Sequence, residues 1–397
     1  MTDFATALDA FGHVQAQPIQ PAELRARVSG LQARMVGAGI KAVWLDASSS
    51  LTYYTGLSLG LSERIHGALV PADGSMIYVS PQFEAPKLRT LLRLPGDIAV
   101  WEEHENPYAL IAARLAGFDA PGAGFALDPA TPFVFASALM QAIQGPVTLA
   151  QAMISAQRQV KSPAELALMQ AAMDASFRVQ KAVHAGLREG ISTTEVAQFI
   201  LAAHSALGLK PLFAAVQFGE ATAYPHGVPH PQVLVDGDMV LVDMGGTLQG
   251  YSSDITRTYV FGTPTPRQRE LWELERQAQA AGFAAARIGA TCASVDAAAR
   301  KVFTDTGFGP GYQVPGLPHR TGHGLGLDIH EAPYIVGGND TPLEAGMCFS
   351  IEPMLCVYGE CGVRLEDIVY MTHSGPRWFV PPAERLDDPF GVTEIGT

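Results

Sequence analysis

Acidic side chains end two runs of this chain that otherwise read as buried strand, and that mismatch limits what the chain can fold into. Asp243 closes the apolar run 240–242, and Glu352 follows the run 349–351. An unpaired carboxylate in such a setting is costly. With Asp254, His323 and Glu366 these residues form a set of four carboxylates and one histidine along the second half of the chain. Four carboxylates sharing one dry site would force some to protonate. Divalent cations remove that conflict, and a carboxylate-rich set with one imidazole suits Mn²⁺, Co²⁺ or Zn²⁺. Two such ions about 3.5–4 Å apart activate one water and polarise one carbonyl. The expectation from these residues is a two-metal hydrolase.

The local patterns add detail. In VLVDMGGTLQGYSSDITRTYVFG, residues 240–243 read as a strand and 254–260 as its return partner, with Gly245, Gly246 and Gly250 as turn signals. Asp beside glycine is also ordinary turn chemistry, and the apolar run before Asp243 weighs against that simpler account. In PHRTGHGLGLDIHEAPYI, His319, His323 and His330 interleave with Gly322, Gly324 and Gly326. Such glycines let backbone and imidazole approach a site that bulkier residues would block. Residues 349–351 read as a strand ending at Glu352 and stopped by Pro353. Gly359 and Gly362 make a turn, and 363–370 read as one returning strand with Arg364, Glu366 and Ile368 on a shared face. An Arg–Glu surface pair would account for Arg364 and Glu366 but not for Glu352.

Organisation divides near residue 155, into an N-terminal domain over 1–155 and a second over 156–397. Residues 21–39 carry Leu24, Val28, Leu31 and Met35 at helical spacing. Strands are expected at 42–45, 51–54, 68–71, 76–80, 125–129 and 147–150, making a small α/β domain. In the second domain Ser162, Pro163 and Glu165 have the order of an N-cap, a first helical position and a capping-box acid. Further helices are expected after 192–194, over 266–286 and over 294–306.

At 397 residues the chain is long enough for two cores. A net charge of −13 argues against nucleic acid or an anionic membrane as partner. The cysteines Cys292, Cys348, Cys356 and Cys361 have no disulfide or zinc-knuckle spacing. No stretch approaches the ~18–20 apolar residues of a membrane span. The N-terminal MTDFATALDAFGHVQ lacks a signal-peptide pattern, so the cytoplasm is the expected location.

The three motif clusters resemble those of the prolidase and Xaa-Pro aminopeptidase branch of the pita-bread metallopeptidases. The order Asp, Asp, His, Glu, Glu agrees at each ligand position, and the resemblance extends over nearly the whole chain. It implies an α/β (α+β) chain: a C-terminal pita-bread catalytic domain after a smaller N-terminal α/β domain of creatinase/prolidase type. It also implies two divalent ions, most readily Mn²⁺, with Asp243 on one, Asp254 and Glu366 bridging, and His323 and Glu352 on the other. A shared water or hydroxide would be the nucleophile. His226, in AYPHGVPH, and His330 match histidines near the substrate; His319 matches a residue lining the pocket beyond the scissile bond; Arg364 matches an arginine beside the bridging glutamate. Glu352 or His330 would relay a proton. Phe213 and Tyr224 are further candidate pocket walls.

The resemblance also implies a homodimer, in which the segment 55–69, with Ser62, Glu63 and Arg64, reaches the partner's substrate. The small peptide Xaa-Pro is the implied substrate, with dipeptides favoured. An aminopeptidase acting on longer peptides, and an amidinohydrolase or lyase of the same fold, are the alternatives, and a non-catalytic interaction module is a third. One departure stands out: Cys356 occupies the position where the family usually has a tyrosine, and Tyr358 lies two residues on.

Overall fold

The computed structural model describes residues 4–390, and all element counts refer to those residues. They form two compact units, one spanning Ile19–Arg158 and the other made of residues 4–18 with 159–390. Residues 4–18, expected with the N-terminal domain, belong to the larger unit, where Val14 N–H donates to the Leu207 carbonyl at 2.9 Å.

The smaller unit is built on a six-stranded sheet. Its order is Asp97–Trp101, Ile77–Pro81, Gly67–Pro71, Ile40–Asp46, Gly124–Leu127, Val147–Leu149. The two pairings of 67–71, with 40–46 and with 77–81, are antiparallel, and the other three are parallel. Its core gathers Trp44, Leu69, Val79, Trp101, Phe125 and Leu139. The helix Pro21–Ala38 buries Leu24, Val28, Leu31 and Met35 and ends on Gly39 at φ 66°, a conformation that favours glycine. Residues 51–54, expected as a strand, lie instead in the helix Ser49–Thr55. The Ser48 side chain accepts from the Ser50 and Leu51 N–H groups, and this cap outweighs the strand preference of Thr52, Tyr53 and Tyr54.

The larger unit contains the short helix Phe4–Asp9 and, after residue 158, the helices Pro163–Gly186, whose Ser162/Glu165 capping box is formed, and Thr193–Ala206. These precede a sheet in the order Ile255–Val260, Met239–Leu248, Lys210–Phe218, to which Tyr251–Ser252 adds a short strand. The helices Pro266–Ala285 and Cys292–Asp305 follow, then a five-stranded sheet: Glu331–Ile335, Gly322–Gly324, Cys348–Ile351, Asp367–Thr372, Gly375–Trp378. The expected single strand 363–370 is two strands. Cys361–Arg364 pairs with Met354–Val357, and Asp367–Thr372 pairs with Cys348–Ile351. The chain changes sheets at residues 365–366, which frees Glu366 to bridge to Thr256.

A buried ion pair fixes that crossing. Arg257 and Asp367 are both fully buried and meet at 2.7 Å. Arg257 also donates to the carbonyls of Thr256, Glu366 and Pro381, while Gln279 Nε2 reaches the other Asp367 oxygen at 3.0 Å. Removing one member of a buried pair leaves an uncompensated charge. Arg257→Met is therefore expected to lower unfolding free energy by about 3–5 kcal/mol, measured by denaturant titration. A loss under 1 kcal/mol would show that the crossing does not depend on this pair.

Candidate metal centre

The site begins with strand register. Asp243 lies opposite Ala215 on one side and Thr256 on the other, and Thr256 bridges to Glu366. Ala215, Asp243, Thr256 and Glu366 thus form one row across neighbouring strands, where facing side chains project to the same side. Asp254 stands two residues before Thr256 and shares its face. The Thr256 hydroxyl donates to Glu366 Oε2 at 2.7 Å. From the five-stranded sheet, the Glu352 N–H donates to the Thr321 carbonyl at 2.8 Å. Ser350 Oγ accepts from the His323 N–H and donates to Glu352 Oε1, both at 2.9 Å. A side chain at Gly322 would collide with the Ser350 carbonyl, and one at Gly324 with the Ala332 carbonyl. The glycines flanking His323 are therefore required by the close strand approach that seats the imidazole.

His323 decides what the site can hold. Its Nδ1 faces the Gly324 carbonyl at 3.1 Å, which makes Nδ1 the donor. Nε2 then faces Glu352 Oε1 at 3.0 Å, Asp254 Oδ2 at 3.6 Å and Glu366 Oε1 at 4.0 Å. A lone pair and three carboxylate oxygens around one point need a cation between them. Ligand atoms of Asp254, His323 and Glu366 lie within 4.8 Å of one another. Asp243 and Glu352 stand outside that closest group. Asp243 Oδ2 accepts from Arg364 Nη2 at 2.6 Å, and its Oδ1 is buried with no hydrogen-bond partner among the described residues. An orphaned buried carboxylate oxygen beside this trio is the second sign that the residues fit metal.

Electrostatics point the same way. Burial and the neighbouring acids push Asp254 and Glu366 well above the usual carboxylate range, Asp243 being the first of those neighbours for Asp254 and Asp254 for Glu366. Burial also raises Asp243, against the opposing pull of Arg364. Burial would raise Glu352 too, but the His323 charge and hydrogen bond, then His319 and Arg364, bring it down to about 2. Burial would lower His323, yet Glu352 and Asp254 outweigh it and raise it. Without a cation, Asp254 and Glu366 thus hold their protons to higher pH than free carboxyls do.

These residues floor a cavity of about 920 Å³. Phe213, Tyr224, His226, His319, His330 and Arg364 all line it. His330 meets His323 edge-on with ring centroids 4.2 Å apart, and burial, His323 and Arg320 depress it to about 4. Burial likewise lowers His319. Arg364 is fixed from several sides: Nε donates to Thr256 Oγ1 at 3.2 Å and Nη1 to the Pro225 carbonyl at 2.9 Å. Arg64 is not among the lining residues. It belongs to the smaller unit, where Glu63 and Glu103 hold it beside a separate cavity of about 360 Å³. Cys356 is fully buried and absent from the cavity wall, whereas Tyr358 is exposed and stacks on Tyr224 at 5.0 Å. The sequence reading missed Thr256 and Ser350, which orient the carboxylates, and Tyr312 and Arg320 in the wall. Arg320 had a visible signal, a guanidinium directly after His319.

A two-domain α/β chain with a buried acid–imidazole cluster in an antiparallel cradle defines a metallopeptidase of the pita-bread class. Residues 167–373 match the model of metallopeptidase family M24, and 27–160 match that of the Creatinase/Prolidase N-terminal domain. The chain belongs to metallopeptidase family M24. It is 36% identical over 359 residues to the probable dipeptidase PepE of Mycobacterium tuberculosis, covering 89% of this chain and 94% of that protein. It is 32% identical to the Xaa-Pro dipeptidase of Lactobacillus helveticus, covering 83% and 90%. Among solved structures, dipeptidase PepE from Mycobacterium ulcerans superposes with a TM-score of 0.86 at 35% identity, covering 93% and 99%. A recombinant prolidase from Thermococcus sibiricus gives 0.79 at 29%, covering 90% and 96%. No helix among the described residues is long and apolar enough to cross a membrane.

The raised carboxyls carry a sign. Metal must expel protons from Asp254 and Glu366, so apparent affinity is expected to rise with pH, with protons released on binding. In the metal-free protein these acids keep protons that the unfolded chain has already lost, so stability falls as pH rises above the ordinary carboxylate range. Calorimetry in two buffers of different ionisation enthalpy, with melting temperatures of chelated protein at pH 5 and pH 8, measures both. Metal binding without proton release would contradict these shifts.

Proposed function

We propose that the protein hydrolyses the Xaa-Pro bond of dipeptides, with Asp243, Asp254, His323, Glu352 and Glu366 holding two divalent ions of the Mn²⁺ type. The observation that carries this reading is the convergence of His323 Nε2 with three carboxylates on the floor of a peptide-sized cavity. When bound, the ions would lower the pKa of a shared water and withdraw electrons from the scissile carbonyl.

The remaining roles fall to the chain itself. Arg364 holds Asp243 in place through its 2.6 Å contact and compensates part of the acidic charge. His226 and His330 border the cavity and donate hydrogen bonds to the oxyanion that develops on the carbonyl. With its pKa near 4, His330 does this as a neutral imidazole at pH 7. Proton transfer to the proline nitrogen falls to Glu352 or His330. An Xaa-Pro bond has no N–H to read, so recognition rests on shape, with Phe213, Tyr224 and His319 as the ring walls. The burial of Cys356 away from the wall leaves it no part in holding the intermediate. The same reading includes a cytoplasmic homodimer in which Arg64 approaches the partner's substrate, supported by family membership; sedimentation at monomer mass would remove that part.

Mn²⁺-loaded protein is expected to cleave Ala-Pro, to leave Ala-Pro-Ala and Ala-Ala largely intact, and to lose Ala-Pro hydrolysis by at least about 10³-fold in Asp254→Asn. Equal cleavage of the tripeptide would make it an aminopeptidase. No cleavage by metal-loaded protein would contradict the peptidase reading.

A further inference from the structure

We propose that the buried ion pair between Lys161 and Glu331 positions His330 in the cavity, and so helps to set the rate at which a bound peptide reacts. The proposal deepens the dipeptidase reading, on which the role of His330 rests.

His330 needs an anchor outside its own ring. The residue is exposed, and its imidazole makes no hydrogen bond among the described residues. Its ring contact is edge-on with His323, at 4.2 Å between centroids. A side chain steadied by a single ring contact lies where its backbone puts it. That backbone is irregular. His323 pairs with Tyr334 and Gly324 with Glu331, so between these pairs the strand Glu331–Ile335 carries two residues, Ala332 and Pro333, without counterparts across the ladder. Such bulges re-aim nearby side chains and leave part of the ladder unmade. His330 directly precedes the bulged strand.

Lys161 supplies the missing restraint. Its Nζ donates to Glu331 Oε1 at 2.6 Å, and the two side chains are only 1% and 9% exposed. The lysine is itself fixed. Its N–H donates to the Gly346 carbonyl at 2.8 Å, and the Gly346 N–H donates to the Met371 carbonyl at 2.8 Å, which ties this backbone to the five-stranded sheet. Gly326 packs against the pair: a Cβ there would meet Glu331 Oε1 at 2.7 Å and Lys161 Cε at 3.1 Å. At Gly324 a Cβ would strike the carbonyls of Ala332 and Glu331. Two apolar side chains would fill this space without the cost of stripping water from two charges, so stability alone does not account for the pair. What it adds is direction. A charge-assisted hydrogen bond holds Glu331 at one point, and with it the start of the strand. His330, one residue earlier, is placed by that hold.

Two measurements test this. In metal-free protein the imidazole NMR signals of His330, assigned by their absence in His330→Ala, report its place beside the His323 ring. Lys161→Met is expected to shift them while those of His226 stay, and Lys161→Arg, which keeps the charge, to shift them less. Unmoved His330 signals overturn the proposal. A His226 shift as large as that of His330 assigns the pair a general structural role and also overturns it. In the Mn²⁺-loaded protein, Lys161→Met is expected to lower kcat for Ala-Pro by about 10- to 100-fold, with KM and metal content little changed. In a His330→Ala background the same substitution should cost less than about twofold. An equal loss in both backgrounds, or a loss of metal, overturns positioning through His330. If Lys161→Met does not fold, Glu331→Gln removes the charge with little change of shape, and the same outcomes apply to it. A wild type that leaves Ala-Pro intact overturns the dipeptidase reading, and the NMR comparison still decides whether the pair places His330.

Discussion

The structure turns on the Nε2 atom of His323. Its ring is committed by Nδ1 to the Gly324 carbonyl, so a lone pair is aimed at the oxygens of Glu352, Asp254 and Glu366. Nothing in a protein interior stabilises that grouping except positive charge, supplied by protons or by metal. Arg364 satisfies one oxygen of Asp243 and leaves the other orphaned. The cluster is therefore a device that is costly when empty, and the surrounding fold must hold it against its own repulsion.

The restraint comes from two of the sheets in the larger unit. One places Asp243 and Thr256 in register, and the other supplies His323 and Ser350. Glu366 lies where the chain leaves the short hairpin for the five-stranded sheet, and it bridges to Thr256 of the first sheet. Arg257 and Asp367 lock that crossing from behind the site. Packing energy in the fully buried network thus sustains the electrostatic conflict at the metal centre. Chemistry and stability meet within two residues, Glu366 facing the cavity and Asp367 the core.

Much of this was legible in the sequence where the signal is local. The Ser162/Glu165 box and the strand before Glu352 are short-range patterns, and they appear in the structure as read; the strand expected to stop at Asp243 instead runs on as Met239–Leu248, through Gly245 and Gly246, which read as turn signals in the sequence. The cavity likewise gathers Phe213, Tyr224, His226, His319, His330 and Arg364. What escaped depends on long-range register or on competition between local forces. Thr256 reads as an ordinary strand residue until it is known to lie between Asp243 and Glu366. The break between Arg364 and Asp367 has no glycine or proline to mark it. Thr52, Tyr53 and Tyr54 favour strand by type, and the Ser48 cap reverses them.

The central claim is that these five side chains hold two cations that share ligands. Titrating Mn²⁺ into chelated protein, followed by electron paramagnetic resonance, tests it directly. Two equivalents per chain should bind, with the second producing the signal of exchange-coupled ions, since two ions sharing this one cluster would lie about 3.5–4 Å apart. Saturation at one equivalent, or two uncoupled ions, would contradict the account.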